Sequence, residues 1–276
     1  MQKIQKALQR RRMDGGAGYA ATPITNSDFD GDIQKSNGFT LKNIDLDSKR
    51  LRGNRVFRGD ERESFIMAYK MLRTQIYQKM IKNRWQTLGI TSSVQGEGKS
   101  TTSINLAYAL ARSVYQTVVL VDMDLRRPSI HSKLGIEPAF GISDYFTDNV
   151  PLSEIMFSPG MEGLVIIPGR KSLHNASELI SSQKTKQFVN ELNTYFPSRF
   201  VIYDLPPVLV ADDVLAFQDN LDAYLLVTDA GQAKKEDLRR VIDTLQHMNS
   251  VGVVLNKFGE VAMNYYGYYG YSKYYY

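Results

Sequence analysis

Cysteine is absent from this chain of 276 residues, which excludes disulfides and thiolate metal sites. Histidine occurs three times, at His131, His174 and His247, with no spacing suited to a metal. No apolar stretch approaches the roughly 20 residues that a membrane-spanning helix needs. Met1–Met13 has no apolar core, so it does not read as a signal peptide. Long charge runs are missing too. Lys and Arg number 34 against 29 Asp and Glu, a net charge of +5, and no basic run is long enough to point to nucleic acid. The expectation is a soluble, cytoplasmic protein that uses neither thiol chemistry nor a histidine-held metal. Its length suits one large α/β domain or two small ones.

One stretch stands out: Ser92-Ser93-Val94-Gln95-Gly96-Glu97-Gly98-Lys99-Ser100-Thr101-Thr102. It lies between an apolar run ending at Ile90 and a long helical pattern over Ser100–Ser113. Gly96 and Gly98 let the backbone curl so that successive N–H groups converge at a helix N-terminus, where anions are favoured. Lys99 can reach terminal phosphates, and the Ser100 hydroxyl can ligate Mg²⁺. The usual pattern has Gly where this chain has Ser93, at little cost, because the close approach is made at Gly96 to Lys99. A plain strand-to-helix turn is the bland alternative; Gly-Lys-Ser-Thr in this setting favours a nucleotide site.

Met1–Arg12 reads as a short basic helix with Ile4, Ala7 and Leu8 on one face. Residues 13–60 are poor in large apolar side chains and are expected to form a mostly disordered linker. Glu61–Lys82 has the helical period, with Phe65, Tyr69, Leu72 and Ile76 on one face. Short apolar strands then alternate with helices: strands at Thr87–Ile90, Thr117–Asp122, Leu164–Pro168, Phe200–Asp204, Ala223–Thr228 and Val251–Asn256. Runs that are apolar on both faces mark a buried parallel sheet. The alternation implies helices on both sides, joined by right-handed crossovers. The expected fold is therefore an α/β domain over residues 61–258, with a mostly parallel sheet of the P-loop NTPase kind. Residues 259–276 hold almost no aliphatic side chains and read as a flexible tail.

Ligands of open parallel sheets bind beyond the carboxyl ends of the strands. Two strands end there in carboxylates: Val119-Leu120-Val121-Asp122-Met123-Asp124-Leu125-Arg126 and Val201-Ile202-Tyr203-Asp204-Leu205-Pro206-Pro207. Mg²⁺ takes oxygen ligands, keeps several waters and bridges phosphates. Asp204 suits Mg²⁺ through water. Asp122 could ligate, orient, or accept a proton from an attacking hydroxyl. Asp124 could do either, or could position Arg126. A single such Asp is more often a capping or loop carboxylate; three features in register point to a site.

Together these motifs resemble the bacterial tyrosine autokinases of capsular and extracellular polysaccharide synthesis. The family's Walker A, A′ and B motifs match at Ser93–Ser100, Val119–Arg126 and Phe200–Pro207. Further matches are Arg126-Arg127-Pro128-Ser129-Ile130-His131, Gly141-Ile142-Ser143-Asp144, Ser177-Glu178-Leu179-Ile180 and Gly252-Val253-Val254-Leu255-Asn256. The resemblance covers about residues 62–276. It implies transfer of the γ-phosphoryl of ATP to tyrosine with Mg²⁺, and Lys99, Asp122, Asp124 and Asp204 as catalytic residues. The nucleotide contacts would be Gln95, Gly96, Glu97, Gly98, Lys99, Ser100 and Thr101, with Arg126 and Asn256. Ser100, Asp122 and Asp204 would serve the metal. The implied partners are neighbouring subunits in a homo-oligomer, a membrane-embedded polysaccharide co-polymerase that recruits the protein to the inner face of the membrane, and a tyrosine phosphatase.

The tail supplies eight tyrosines in residues 265–276: Tyr265, Tyr266, Tyr268, Tyr269, Tyr271, Tyr274, Tyr275 and Tyr276. By the resemblance these are the phosphorylation sites, mostly of a neighbouring subunit. Each phosphate adds roughly −1.5 to −2 charge, so several would turn a near-neutral tail into a polyanion. Such a tail is expected to leave the neighbour's phosphate site and loosen the oligomer. Two other readings remain. A partitioning or positioning ATPase of the same superfamily would carry a signature Lys early in the loop, where this chain has Val94. A non-catalytic, nucleotide-gated adaptor of a polysaccharide exporter would not need intact Lys99, Ser100, Asp122, Asp124 and Asp204.

Overall fold

The computed structural model describes residues 41–57, 63–114 and 116–258. The N-terminal helix expected over residues 1–12 and the tyrosine cluster lie outside the described residues. The elements in chain order are β1 (Lys42–Asn43), α1 (Ser48–Gly53), α2 (Glu63–Asn83), β2 (Thr87–Ser92), α3 (Lys99–Ala111), β3 (Thr117–Asp122) and α4 (Ile130–Leu134). Next come α5 (Ile142–Asp148), α6 (Leu152–Ile155), β4 (Phe157–Ser158), β5 (Leu164–Ile167), α7 (Ala176–Ile180), α8 (Gln183–Tyr195) and β6 (Arg199–Asp204). The chain continues through α9 (Asp213–Phe217), β7 (Ala223–Asp229), α10 (Lys235–Thr244) and β8 (Ser250–Asn256).

The strands form one eight-stranded sheet in the order β1-β4-β5-β3-β6-β2-β7-β8. Every pairing is parallel except β4 with β5. Side chains alternate across a strand, and the two faces of this sheet feed two cores. Val119, Val121, Val201, Tyr203, Tyr224 and Leu226 pack with residues of α5 to α10. Leu88, Ile90, Val118, Leu120, Phe200, Ile202, Leu225 and Val227 pack with residues of α1, α2, α3 and α4. β3 and β6 are buried along their whole length, which explains their unbroken apolar sequences.

The expected linker over residues 13–60 is corrected in its last part. Residues 41–57 add β1 to the sheet edge and place α1 against α4. Leu41, Leu46, Leu51 and Val56 are buried there. Asp47 caps α1, its carboxylate accepting from the Lys49 amide at 2.8 Å. Asn54 and Arg50 donate to the Lys133 and Gly135 carbonyls at 2.8 and 3.0 Å. Four well-spaced apolar side chains and these polar contacts suffice to hold the segment despite its polar composition.

Candidate nucleotide and phosphoryl-transfer site

β2 runs straight into the loop at residues 93–98, and α3 starts at Lys99. Gly96 and Gly98 take φ of 84° and 95°, which non-glycine side chains rarely adopt. A Cβ on Gly98 would also lie 2.0 Å from Asn256 Nδ2, so both conformation and space require glycine. Ser93 is not among the residues with positive φ, which is why serine is tolerated there. Its carbonyl accepts from the Leu209 amide at 3.2 Å, while Ser92 accepts from Val208 at 2.9 Å. Thr91 Oγ1 donates to the Pro206 carbonyl at 2.6 Å. The Asp-Leu-Pro-Pro segment is thus fastened to the root of the loop.

Asp122 and Asp204 are register partners at the ends of the neighbouring strands β3 and β6, and both are fully buried. Asp122 Oδ2 accepts from the amides of Ser129 and Ile130, each at 2.9 Å, and its Oδ1 has no hydrogen-bond partner. Asp204 Oδ1 accepts from Ser103 Oγ at 3.0 Å, and its Oδ2 has no hydrogen-bond partner. The Lys99 ammonium sits between the carboxylates, 2.8 Å from Asp124 and 3.5 Å from Asp204. Ser100 Oγ is 2.9 Å from Ser129 Oγ.

Burial, with Asp204 beside it, pushes the Asp122 carboxyl up to about 8, against the pull of the Ile130 amide and Lys99. Burial also raises Asp204, opposed by Lys99. At Lys99 burial disfavours the charge, but the carboxylates of Asp204, Asp124 and Asp122 outweigh it and the amine is raised.

The loop residues divide by role. Gln95 and Gly96 are exposed at the tip. Lys99 and Ser100 face the carboxylates, and Thr101 lies half-buried in the first turn of α3. Glu97, placed with the nucleotide contacts by sequence, turns inward. Its Oε2 accepts from the Val94 amide at 2.9 Å. Its Oε1 accepts from Thr228 Oγ1 at 2.9 Å and the Asp229 amide at 3.3 Å. Asn256 Nδ2 donates to the Glu97 carbonyl at 2.9 Å. Arg126, expected with the nucleotide contacts, forks its guanidinium onto Asp213 at 2.9 and 3.0 Å. The arginine that touches the loop is Arg127, whose Nη1 donates to Gln95 Oε1 at 2.6 Å. The only hint of this in the sequence is the Arg126-Arg127 pair, which does not say which arginine turns where.

Asp122 Oδ1 and Asp204 Oδ2, neither of them hydrogen-bonded, form with the Ser100 hydroxyl an all-oxygen donor set beside a phosphate-type loop. That chemistry fits Mg²⁺ sharing its shell with water and phosphate. Among the described residues no group of three or more His, Asp or Glu side chains is arranged to hold a metal by itself.

This sheet, loop and carboxylate set define a P-loop nucleotide-binding domain, and the family model for the CobQ/CobB/MinD/ParA nucleotide binding domain matches residues 88–269. Within that class the chain belongs to the bacterial tyrosine-protein kinases. It is 31% identical over 205 residues to the tyrosine-protein kinase CpsD of Streptococcus pneumoniae, spanning 72% of this chain and 86% of that protein. It is 28% identical to the tyrosine-protein kinase YwqD of Bacillus subtilis, over 73% of this chain and 85% of that protein. The kinase domain of the Escherichia coli tyrosine kinase ETK superposes with a TM-score of 0.62 at 27% identity, covering 68% of this chain and 73% of that one. Among the described residues no helix is long and apolar enough to cross a membrane.

Proposed function

We propose that this chain is an ATP-dependent protein-tyrosine autokinase that phosphorylates its C-terminal tyrosine cluster in trans and thereby regulates polysaccharide export or chain length. The observation that carries the reading is the meeting of Lys99 with Asp122, Asp124 and Asp204 at the mouth of a phosphate-type loop, in a chain whose relatives are named tyrosine-protein kinases.

Phosphoryl transfer asks a protein mainly for positioning and charge neutralisation. The loop amides and Lys99 would hold the β- and γ-phosphates. Lys99 now rests on carboxylates, and turning to the phosphates exchanges one anion for another. Ser100, Asp122 and Asp204 would hold Mg²⁺, which supplies neutralisation of the charge on the bridging and departing oxygens. Turning of Lys99 frees Asp124 to orient the acceptor hydroxyl and take its proton. An unperturbed tyrosine holds that proton to a pH near 10, so a nearby acceptor matters. The tyrosine oxygen forms its bond to the γ-phosphorus as the bond to the β–γ bridging oxygen breaks, and ADP departs with the electron pair.

A membrane-embedded co-polymerase is the expected activator and recruiter to the inner membrane face, with a tyrosine phosphatase to reverse the reaction. Transfer in trans is tested by mixing active full-length chain with a size-tagged Lys99→Met variant and Mg-ATP, in the presence of the activator's cytoplasmic segment. Phosphotyrosine on the tagged inactive chain supports the reading. Phosphotyrosine confined to the active chain contradicts transfer between subunits.

A further inference from the structure

Ser129 stands where β3 hands over to α4, uncharged and outside the site residues expected from sequence. Yet it touches two of the groups that would hold the metal. Its amide donates to Asp122 Oδ2 at 2.9 Å, and its hydroxyl donates to Ser100 Oγ at 2.9 Å. The residue is itself held from behind, because its carbonyl accepts from Ser132 Oγ at 2.9 Å and from the Lys133 amide at 3.0 Å. The next amide, that of Ile130, gives Asp122 Oδ2 its second bond at 2.9 Å. Together the two amides engage Oδ2 and leave Oδ1 without a hydrogen-bond partner. Pro128 precedes Ser129 and fixes its own φ. A Cβ on Gly169 would lie 2.0 Å from Pro128 Cβ, so this turn packs closely on the loop after β5.

A hydroxyl has one proton to donate and two lone pairs with which to accept. At Ser100 Oγ one lone pair receives the Ser129 hydroxyl, and the other faces the Lys99 ammonium, 3.3 Å away. Lys99 also pairs with Asp124 and Asp204 at 2.8 and 3.5 Å, so this second lone pair opens toward the carboxylates. When Lys99 turns to the phosphates, that lone pair is vacated on the side where the metal would sit. Without the Ser129 hydroxyl, Ser100 would be free to turn its oxygen elsewhere. Metal sites depend on such supporting contacts, and losing one costs about 10–100-fold in affinity.

We propose that Ser129 is a positioning residue for Mg²⁺: its hydroxyl aims Ser100 Oγ and its amide turns Asp122, so that both present an oxygen to the ion. Ser129 acts through these two groups and does not itself touch the metal. The proposal rests on the Mg-nucleotide part of the reading above and is independent of where the phosphoryl group goes.

The test titrates full-length protein with a fluorescent ADP analogue, once in Mg²⁺ and once in EDTA, and reads the ratio of the two affinities. Ser129→Ala keeps the backbone amide on Asp122 and removes only the hydroxyl. The ratio should fall about tenfold in this variant, with the affinity in EDTA unchanged. Ser129→Thr keeps a hydroxyl and should restore most of the ratio. Ser100→Ala should lower the ratio by itself, and adding Ser129→Ala should lower it no further, since the hydroxyl then has nothing to aim. Melting temperatures of the nucleotide-free variants near that of the parent chain separate a lost contact from misfolding. An unchanged ratio in Ser129→Ala overturns the proposal, as does an additive loss in the double variant. A parent chain whose ADP affinity ignores Mg²⁺ overturns both the proposal and the metal assignment. If Ser129→Ala lowers the ratio but the parent chain forms no phosphotyrosine from Mg-ATP, the kinase reading fails and the role of Ser129 stands.

Discussion

The side-chain amide of Asn256, at the end of β8, donates to the carbonyl of Glu97 inside the phosphate loop at 2.9 Å. The Glu97 carboxylate in turn accepts from Thr228 and Asp229 at the end of β7. The next residue, Lys257, has φ of 57° and pairs with Asp229 at 2.8 Å. The loop that would cradle phosphates and the root of the tail that would receive them are therefore braced against the same two strand ends.

Removing the brace should loosen the loop. Glu97→Ala leaves the Val94 amide and the Thr228 hydroxyl without their acceptor, at roughly 1–3 kcal/mol for each group that stays buried. Nucleotide affinity should fall on the order of tenfold, with a melting temperature lower by several degrees. Glu97→Gln should fall between, because its NH₂ would face the Val94 N–H. Titration with a fluorescent ADP analogue beside calorimetry measures both. Unchanged affinity in Glu97→Ala would show that loop shape does not depend on this wiring.

Such wiring was not legible in the sequence, because Glu97 and Thr228 are 131 residues apart and only the fold joins them. What was legible is local. Unbroken apolar runs such as Thr117–Asp122 announced buried strands, and Gly-x-Gly-Lys-Ser announced the loop. The carboxylates at Asp122 and Asp204 were placed by the rule that parallel strands point their carboxyl ends at the ligand, and the two residues are register partners at those strand ends. β1 and α1 were hidden because Leu41, Leu46, Leu51 and Val56 sit about five residues apart, a spacing that matches neither a helical nor a strand period. The adjacent Arg126 and Arg127 carry the same charge, so only Asp213 and Gln95 in space decide which turns where.

Asp122 makes the ligand-free chain sensitive to alkali. Its folded-state value near 8 lies above the ordinary carboxylate range, so the folded chain holds a proton there that the unfolded chain has released. Stability from this group is full below about pH 4 and is lost as pH rises through about 8. Asp204 is raised in the same sense. Urea denaturation without nucleotide should therefore show lower stability at pH 9 than at pH 6, and Asp122→Asn should flatten the difference. An identical pH dependence in the variant would contradict the assignment.

Arg126 has a structural role to test. Asp213 is wholly buried and receives both arms of its fork, while the Arg126 side chain is 37% exposed. Arg126→Ala strands a buried carboxylate, and the partial exposure of the pair keeps the cost to about 1–3 kcal/mol. Arg126→Lys should recover little, because an ammonium cannot make the fork. Arg126→Met combined with Asp213→Asn should be more stable than Arg126→Ala alone. Chemical denaturation of the four chains measures this, and full stability of Arg126→Ala would refute it.

The most direct measurement of the central claim is phosphotyrosine mapping by mass spectrometry. Full-length chain is incubated with Mg-ATP and the activator's cytoplasmic segment, beside Lys99→Met under the same conditions. The account predicts phosphate on tyrosines between Tyr265 and Tyr276 in the parent chain and none in Lys99→Met. ATP hydrolysis with no phosphotyrosine would contradict it and favour a partitioning-type ATPase, and absence of both activities would favour a non-catalytic adaptor.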